Sequence, residues 1–535
     1  MSSHDVAELL AAAAAAVPDG VAVVEGGGRR LTWSELEDEV ARVASGLVAH
    51  GVVGGHRVLI CVGNRLEFVT AYLAVLRAQA VAVPVNPRAG TDELARMVAD
   101  SGSRLAIVES TSAPALRGAV ALLARVVAGE ATDLDEDLVP RAVVPRLVLV
   151  GAPPEPDELA YDDLRATAPV AVPPLLDPEK LAALLYTSGT SGRPRAAMLT
   201  HRALLANLAQ VAAVEPPLVH SGDVVLGVLP LFHVYGLNAV LGSVLWHRAR
   251  LVLAEGFDPE GTLDLVEDEA CSVVPVAPPV FDHWLPRRDL RERLGPVRLV
   301  LSGSAPLAGD VIDRFTALTG VPVHQGYGLT EASPVVTSTL RSAAPRSGSL
   351  GAPLAGVELR LVDELTHLAE GEDPGEIQIR GANLFSGYWP DGSGGPDAEG
   401  WWSTGDVGYL DPAGDLVLVD RVQELVVVSG FNVYPREVEN VIREVAGVAE
   451  TAVIGVPDPQ GGQAVVAYVV ARGGHAEEAA GLAEAVRAHC AARLAAFKRP
   501  GRIEVTDRLP MTITGRVQKG RLRLLERRRA LGLIE

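Results

Sequence analysis

Leu184-Leu185-Tyr186-Thr187-Ser188-Gly189-Thr190-Ser191-Gly192-Arg193-Pro194-Arg195 is the stretch on which the reading of this 535-residue chain turns. The apolar run from Leu181 to Leu185 predicts a short buried strand. It opens into Thr187 to Arg193, made almost wholly of Thr, Ser and Gly. Glycines let a backbone turn and approach a ligand closely, while hydroxyls and free N–H groups donate hydrogen bonds. A loop of that kind suits an anion such as a triphosphate, and Arg193 and Arg195 add fixed positive charge at its exit. The spacing G-x-x-x-x-G-K-[ST] is absent, so this is not a Walker A loop. Taken alone, the same residues read equally well as a plain flexible turn.

Further along the chain other stretches carry chemistry of their own. Gln325-Gly326-Tyr327-Gly328-Leu329-Thr330-Glu331 places an aromatic face, a hydroxyl and a carboxylate within five residues, a set that could stack a purine, bond a phosphoryl oxygen and hold Mg²⁺. Leu299 to Ser302 predicts a strand ending in the small-residue turn Gly303-Ser304-Ala305, where a planar base or thin acyl chain could lie against backbone. A tight turn is the plainer reading of those three residues. His233, within Pro230-Leu231-Phe232-His233-Val234-Tyr235-Gly236-Leu237, would by itself be a packed or surface histidine. Asp406, in Trp402-Ser403-Thr404-Gly405-Asp406, would by itself be a turn residue.

Together these stretches resemble, in order and from Leu31 to Arg523, the signature motifs of the adenylate-forming superfamily. That superfamily includes acyl-CoA synthetases, aryl-CoA ligases, luciferases and peptide-synthetase adenylation domains. The resemblance implies ATP, Mg²⁺ and CoA as cofactors. Thr187, Ser188, Gly189, Thr190, Ser191, Gly192 and Arg195 would hold the phosphates, and Gly303, Ser304, Ala305, Gly326 and Tyr327 the adenine side. Thr330 would bond phosphate, Glu331 the metal, and His233 would position the acid substrate. Asp406 and Arg421 would take the ribose hydroxyls. Ser429 to Glu439, SGFNVYPREVE, looks most like fatty-acyl-CoA synthetases, with Gly430 and Phe431 beside the pantetheine tunnel. Leu509 to Lys519 resembles the terminal motif, in which Arg516 stands where the family has a lysine that bridges carboxylate and α-phosphate.

The fold implied is α/β: a large multi-sheet N-terminal domain over 1–420 and a small mobile α+β domain over 421–535, rotating at Asp420–Gln423 between the two half-reactions. Strand, helix and strand over Arg57–Val62, Glu67–Gln79 and Ala80–Val85 agree with a parallel sheet and crossover helices, and Thr32 or Ser34 would cap the preceding helix. The activity implied is ATP-dependent activation of a fatty or aryl acid, followed by transfer to CoA. Two other outcomes stay open, transfer to a carrier protein in trans and activation of nitrite in a diazotase-type reaction on an aryl amine, as does a nucleotide-binding pseudoenzyme. A homodimer is also open.

The departures concentrate on lysine. Arg516 and Arg195 occupy family lysine positions, Ala196 follows instead of glycine, and Gln423 stands at the hinge. Lysine occurs only at 180, 498 and 519 among 47 basic residues, so compositional drift competes with specialisation as the cause. Guanidinium is planar and larger than ammonium, so the exchange is not geometrically neutral.

A formal net charge of −20 argues against nucleic acid and anionic membranes as partners. Cys61, Cys271 and Cys490 are too dispersed for a disulfide framework or zinc site, which suits a reducing cytoplasm. The alanine-rich start reads as a surface helix, with no integral membrane segment anywhere. Residues 110–180 read as linker or variable surface loop.

Overall fold

The structure is a computed structural model. It describes all residues except 1–3, 131–133, 166–167, 188–193, 344, 347, 364–366, 370–372, 422–423, 429–430, 459–462, 473–478, 513–516 and 531–535. The chain divides into two compact units, Met1–Glu358 with Arg380–Trp402, and Leu359–Ile379 with Ser403–Glu535.

Two seven-stranded sheets carry the first unit. In one, the strands run in the order Val323–Gln325, Leu299–Ser302, Val273–Val276, Val224–Gly227, Arg250–Leu253, Val21–Glu25 and Arg30–Thr32. In the other the order is Leu159–Ala160, Arg146–Val150, Leu105–Glu109, Arg57–Cys61, Val81–Pro84, Leu181–Thr187 and Arg195–Thr200. Each sheet is parallel until its last pair, where an antiparallel strand closes one edge. Val81–Pro84 and Val273–Val276 are buried along their whole length, as strands of a covered parallel sheet must be. The strand, helix and strand expected over 57–85 are found at Arg57–Cys61, Leu66–Arg77 and Val81–Pro84. Thr32 caps helix Trp33–Ala49 and exchanges hydrogen bonds with Glu35 in a capping box, an arrangement worth about 1 kcal/mol.

Two expectations need correction. Residues 110–180 are not plain linker: they hold helix Ala113–Val127, strand Arg146–Val150 and helix Tyr161–Arg165. The first of these buries Ala113, Leu116, Ala119, Leu123 and Val126, a helical stripe in which two of five residues are alanine and which is therefore faint in the sequence. Ser272 to Phe281 reads in the sequence as a strand running into a proline-stiffened turn; the strand is found at Val273–Val276, and the turn is the short helix Pro279–Trp284, because proline is favourable in a first turn.

One buried side chain fixes the loop after Val224–Gly227. Asn64 Nδ2 donates to the Gly227 and Leu229 carbonyls at 3.0 and 2.9 Å, and Asn64 Oδ1 accepts from Leu231 N–H at 2.9 Å. The loop that leads to His233 is thus tied to the end of the neighbouring sheet's strand Arg57–Cys61.

The second unit holds most of a four-stranded sheet, Val357–Val362, Gly375–Gly381, Trp402–Leu410 and Leu416–Arg421. It continues with the hairpin Val426–Val428 and Phe431–Val433. A three-stranded sheet, Val448–Pro457, Gln463–Ala471 and Arg502–Thr506, is packed by helices Pro435–Arg443, Ala479–Arg493 and Lys519–Ala530. Its core gathers Val438, Ile442, Val453, Val469 and Val486. Among the described residues no helix is long and apolar enough to cross a membrane, and the three cysteines are free and buried. The alanine-rich helix Glu8–Ala16 buries Leu10 and Ala13.

Candidate functional site

Within the first unit, three of the sequence motifs leave the carboxyl ends of parallel strands of one sheet. His233 follows Val224–Gly227, Gly303 follows Leu299–Ser302, and Gly326 follows Val323–Gln325. In open α/β sheets that edge is where ligands bind. The loop quoted first is the connection between antiparallel strands Leu181–Thr187 and Arg195–Thr200, with Thr187 opposite Arg195. Ser188, Gly189, Thr190, Ser191 and Gly192 lie outside the described residues.

Gly303 and Gly326 have a packing reason of their own. A Cβ at Gly303 would overlap the Tyr235 ring, and one at Gly326 the Thr337 carbonyl. Ser304, exposed, and Ser333, fully buried, both take left-handed backbone, φ +72° and +68°. Of the six such non-glycine residues in the described chain, two therefore flank these motifs, where strain concentrates at sites that bind. Ala305 lies in the same turn, and Gln325 Oε1 accepts from Leu307 N–H at 3.1 Å to hold it.

Tyr327 is buried, and its N–H donates to Thr337 Oγ1 at 2.9 Å. Thr330 opens a single helical turn to Ala332, and Glu331 within that turn is buried, 8% exposed. Its carboxylate Oε1 accepts from Tyr388 Oη at 2.7 Å. Sequence reasoning missed Tyr388. The segment that carries it runs beside the hairpin strand: Trp389 N–H donates to Ala196 O, Met198 N–H to Gly387 O, and Phe385 N–H to Glu331 O. Arg195 lies over the Tyr388 ring, its guanidinium carbon 3.7 Å from the centroid. The structure therefore brings Arg195 and Glu331 to one side chain. A signal existed in the aromatic cluster Phe385, Tyr388, Trp389, but nothing local assigned it a partner.

His233 sits where the loop turns into Tyr235–Gly242, a helical stretch of the wide π type that recurs at functional sites. Its Nε2 is enclosed and has no hydrogen-bond partner among the described residues. Burial pushes the imidazole down to about 4, so the ring is neutral at physiological pH. Asn238 clips the wide helix to its surroundings, donating to Leu204 O at 3.1 Å and Ser333 O at 2.7 Å.

In the second unit, Asp406 lies within strand Trp402–Leu410, buried, directly opposite Arg421 of Leu416–Arg421. For Arg421 and Phe431 only the backbone is described, and Gly430 and Arg516 lie outside the described residues. Lys519, three positions after Arg516, is buried between Glu424 and Glu439 at 2.8 and 2.9 Å. Glu439 Oε1 also accepts from Val453 N–H at 2.8 Å. That ammonium is held by two structural carboxylates, which argues against its standing in for a lysine at 516.

Among the described residues no three His, Cys, Asp or Glu side chains converge on a metal ion. A single carboxylate with an adjacent hydroxyl, Glu331 and Thr330, is an all-oxygen donor set. It fits Mg²⁺, which binds through one or two carboxylates with substrate phosphates and water completing its shell.

The chain matches the family described as AMP-binding enzyme over residues 10–389 and the AMP-binding enzyme C-terminal domain over 437–516. A feruloyl-CoA synthase of Amycolatopsis sp is 35% identical over 505 residues, 94% of this chain and 95% of the relative. A long-chain-fatty-acid–CoA ligase of Bacillus subtilis (strain 168) is 31% identical over 534 residues, 96% and 93% of the two chains. Among solved structures, ATP-bound MatB from Rhodopseudomonas palustris is similar with a TM-score of 0.84 and 30% identity, over 97% and 98%.

Proposed function

Since the chain is a member of the AMP-binding enzyme family, we propose that it is an acid–thiol ligase that activates a carboxylic acid with ATP and transfers the acyl group to CoA. A substrate carboxylate oxygen attacks the α-phosphorus of ATP, pyrophosphate leaves, and an acyl-adenylate remains. The CoA thiolate then attacks the acyl carbonyl and AMP leaves. The observation that carries this reading is the convergence on Glu331. A buried carboxylate at the carboxyl edge of a parallel sheet shares one side chain with Arg195, at the exit of a Ser/Thr/Gly-rich connection.

Catalysis of such displacements is mostly positioning and charge neutralisation. We assign the hairpin connection, Thr187 to Gly192 with Arg195, to the triphosphate, and Thr330 to a phosphoryl oxygen. Glu331 would hold Mg²⁺, whose chemistry when bound is to neutralise phosphate charge. Gly303, Ser304, Ala305, Gly326 and Tyr327 line the adenine side. The enclosed, neutral Nε2 of His233 is assigned to the acid substrate. From their motifs alone, Asp406 and Arg421 are assigned to ribose, Gly430 and Phe431 to CoA, and Arg516 to the α-phosphate. The functional division between the two domains is placed near Asp420. A cytoplasmic location suits three buried free thiols.

The experiment is pyrophosphate release with Mg·ATP against fatty acids of graded length, benzoates and cinnamates, with and without CoA. Release that rises with CoA, with a matching acyl-CoA product, is the expected result. Release indifferent to CoA would move the reading to another acceptor. No release across the panel, with ATP still bound, would move it to a pseudoenzyme.

A further inference from the structure

Arg195 and Glu331 stand 136 positions apart in the sequence, yet a single phenol touches both. Tyr388 Oη donates to Glu331 Oε1 at 2.7 Å, and the face of the same ring carries the Arg195 guanidinium at 3.7 Å. The ring is held on several sides. Tyr388 forms a bridge with Ala197 of the hairpin strand, and Phe385 packs edge-on against it at 5.0 Å and 77°. Gly394, with φ +68°, closes over the stack: a Cβ there would stand 3.2 Å from Tyr388 Cδ2 and 3.3 Å from Arg195 Nη2. Trp402 Nε1 donates to the Gly394 carbonyl at 2.8 Å and fixes that cover.

We propose that Tyr388 is a positioning residue of the nucleotide site, aiming the Glu331 carboxylate and supplying the platform on which Arg195 is held beside the phosphate-binding connection. The inference rests on the reading of Glu331 and Arg195 as nucleotide-binding groups given above. Three physical points support it. A hydrogen bond to a carboxylate is directional, so the donor restricts which way the carboxylate faces. A phenolic O–H is a donor at neutral pH, so it can supply the proton of that hydrogen bond. A planar guanidinium stacks on an aromatic face and a compact ammonium does so less well, so arginine at 195 has a partner suited to it. On this view the exchange of lysine for arginine at 195 is a matched feature of this chain. Drift in a lysine-poor sequence does not explain the fit.

The test uses the full chain and α,β-methylene-ATP, whose bridging bond resists cleavage, titrated calorimetrically at graded Mg²⁺, with AMP as the metal-independent control. Tyr388→Phe keeps the ring and removes the donor. It should raise the Mg²⁺ concentration for half-maximal analogue binding by about tenfold, while AMP affinity stays within about twofold of wild type. Arg195→Lys should weaken the analogue by about fivefold in the wild type and leave it unchanged in a Tyr388→Leu background, where there is no ring to lose. A merely structural tyrosine would lower thermal stability and AMP affinity together without moving the Mg²⁺ midpoint. An unchanged midpoint in Tyr388→Phe overturns the aiming of Glu331. An equal cost of Arg195→Lys in both backgrounds overturns the platform. A wild-type protein that binds AMP but shows no Mg²⁺-dependent binding of the analogue overturns the reading of Glu331 itself, and this inference with it.

Discussion

Two histidines of the first unit share one electrostatic fate and differ in everything else. Burial pushes both His201 and His233 down to about 4. His201, at the start of helix His201–Ala212, is 1% exposed, and its Nδ1 accepts the Val6 N–H at 3.2 Å with Asp5 Oδ1 at 3.3 Å. It closes the core over the chain's first turn. His233 has an enclosed Nε2 with no hydrogen-bond partner among the described residues. A buried polar atom without a partner costs about 1–3 kcal/mol, and a fold keeps that cost where a ligand removes it. The contrast separates a histidine used for packing from one held ready for a guest, which burial alone does not do.

The sharpest test is His233→Ala. We expect kcat/KM for the acid to fall on the order of a hundredfold, the scale of losing a positioning contact, with the unfolding free energy within about 1 kcal/mol of wild type. Loss of stability with activity retained per folded molecule would reverse the roles of the two rings. His201→Ala should do what His233→Ala does not: lower stability by about 2–4 kcal/mol in urea unfolding, with kcat/KM of the folded protein within about twofold.

Acid sharpens the contrast further. A histidine whose folded pKa lies near 4 and whose unfolded value lies near 6.5 binds fewer protons when folded, so its stability is present above that window and lost as pH falls through it. Asp5 has the opposite sign. Burial lifts its carboxyl from 3.8 to about 6, so its contribution is present at low pH and lost as pH rises through about 6. The two neighbours offset each other, whereas His233 has no such counterpart. Replacing His233 with Asn should therefore recover about 1 kcal/mol of the stability lost between about pH 7 and about pH 5.5. The pH profile of kcat/KM should carry no step near 6.5 traceable to His233. The smallest effect is that of Asp5→Asn, which should steepen the acid-side loss by somewhat under 1 kcal/mol; an unchanged slope would show that Asp5 and His201 do not compensate.

The same contrast marks how far the sequence was readable. The strand Leu299–Ser302 that runs into Gly303 was legible, because its apolar residues and the small-residue turn that closes it are neighbours along the chain. Strands of continuous apolar residues, such as Val81–Pro84 and Val273–Val276, were legible for the same reason. What escaped depends on contacts between distant positions. His201 lies six positions beyond the stretch quoted first, yet its partner lies 195 positions earlier. Tyr388 is bonded 57 positions back to Glu331 and packed against Arg195, so neither neighbour is visible in its own surroundings. Helix Ala113–Val127 escaped for a different reason, because alanine buries too little area to mark a stripe.

The connection assigned above to the triphosphate joins two antiparallel strands whose pairing runs from Thr187–Arg195 back to Leu181–Thr200. Among the described residues it is strand Arg195–Thr200, and not a helix, that leads away from it, unlike phosphate loops that open a helix. Mechanically, the arginine at its exit belongs to the strand ladder, so its place is set by the register opposite Thr187.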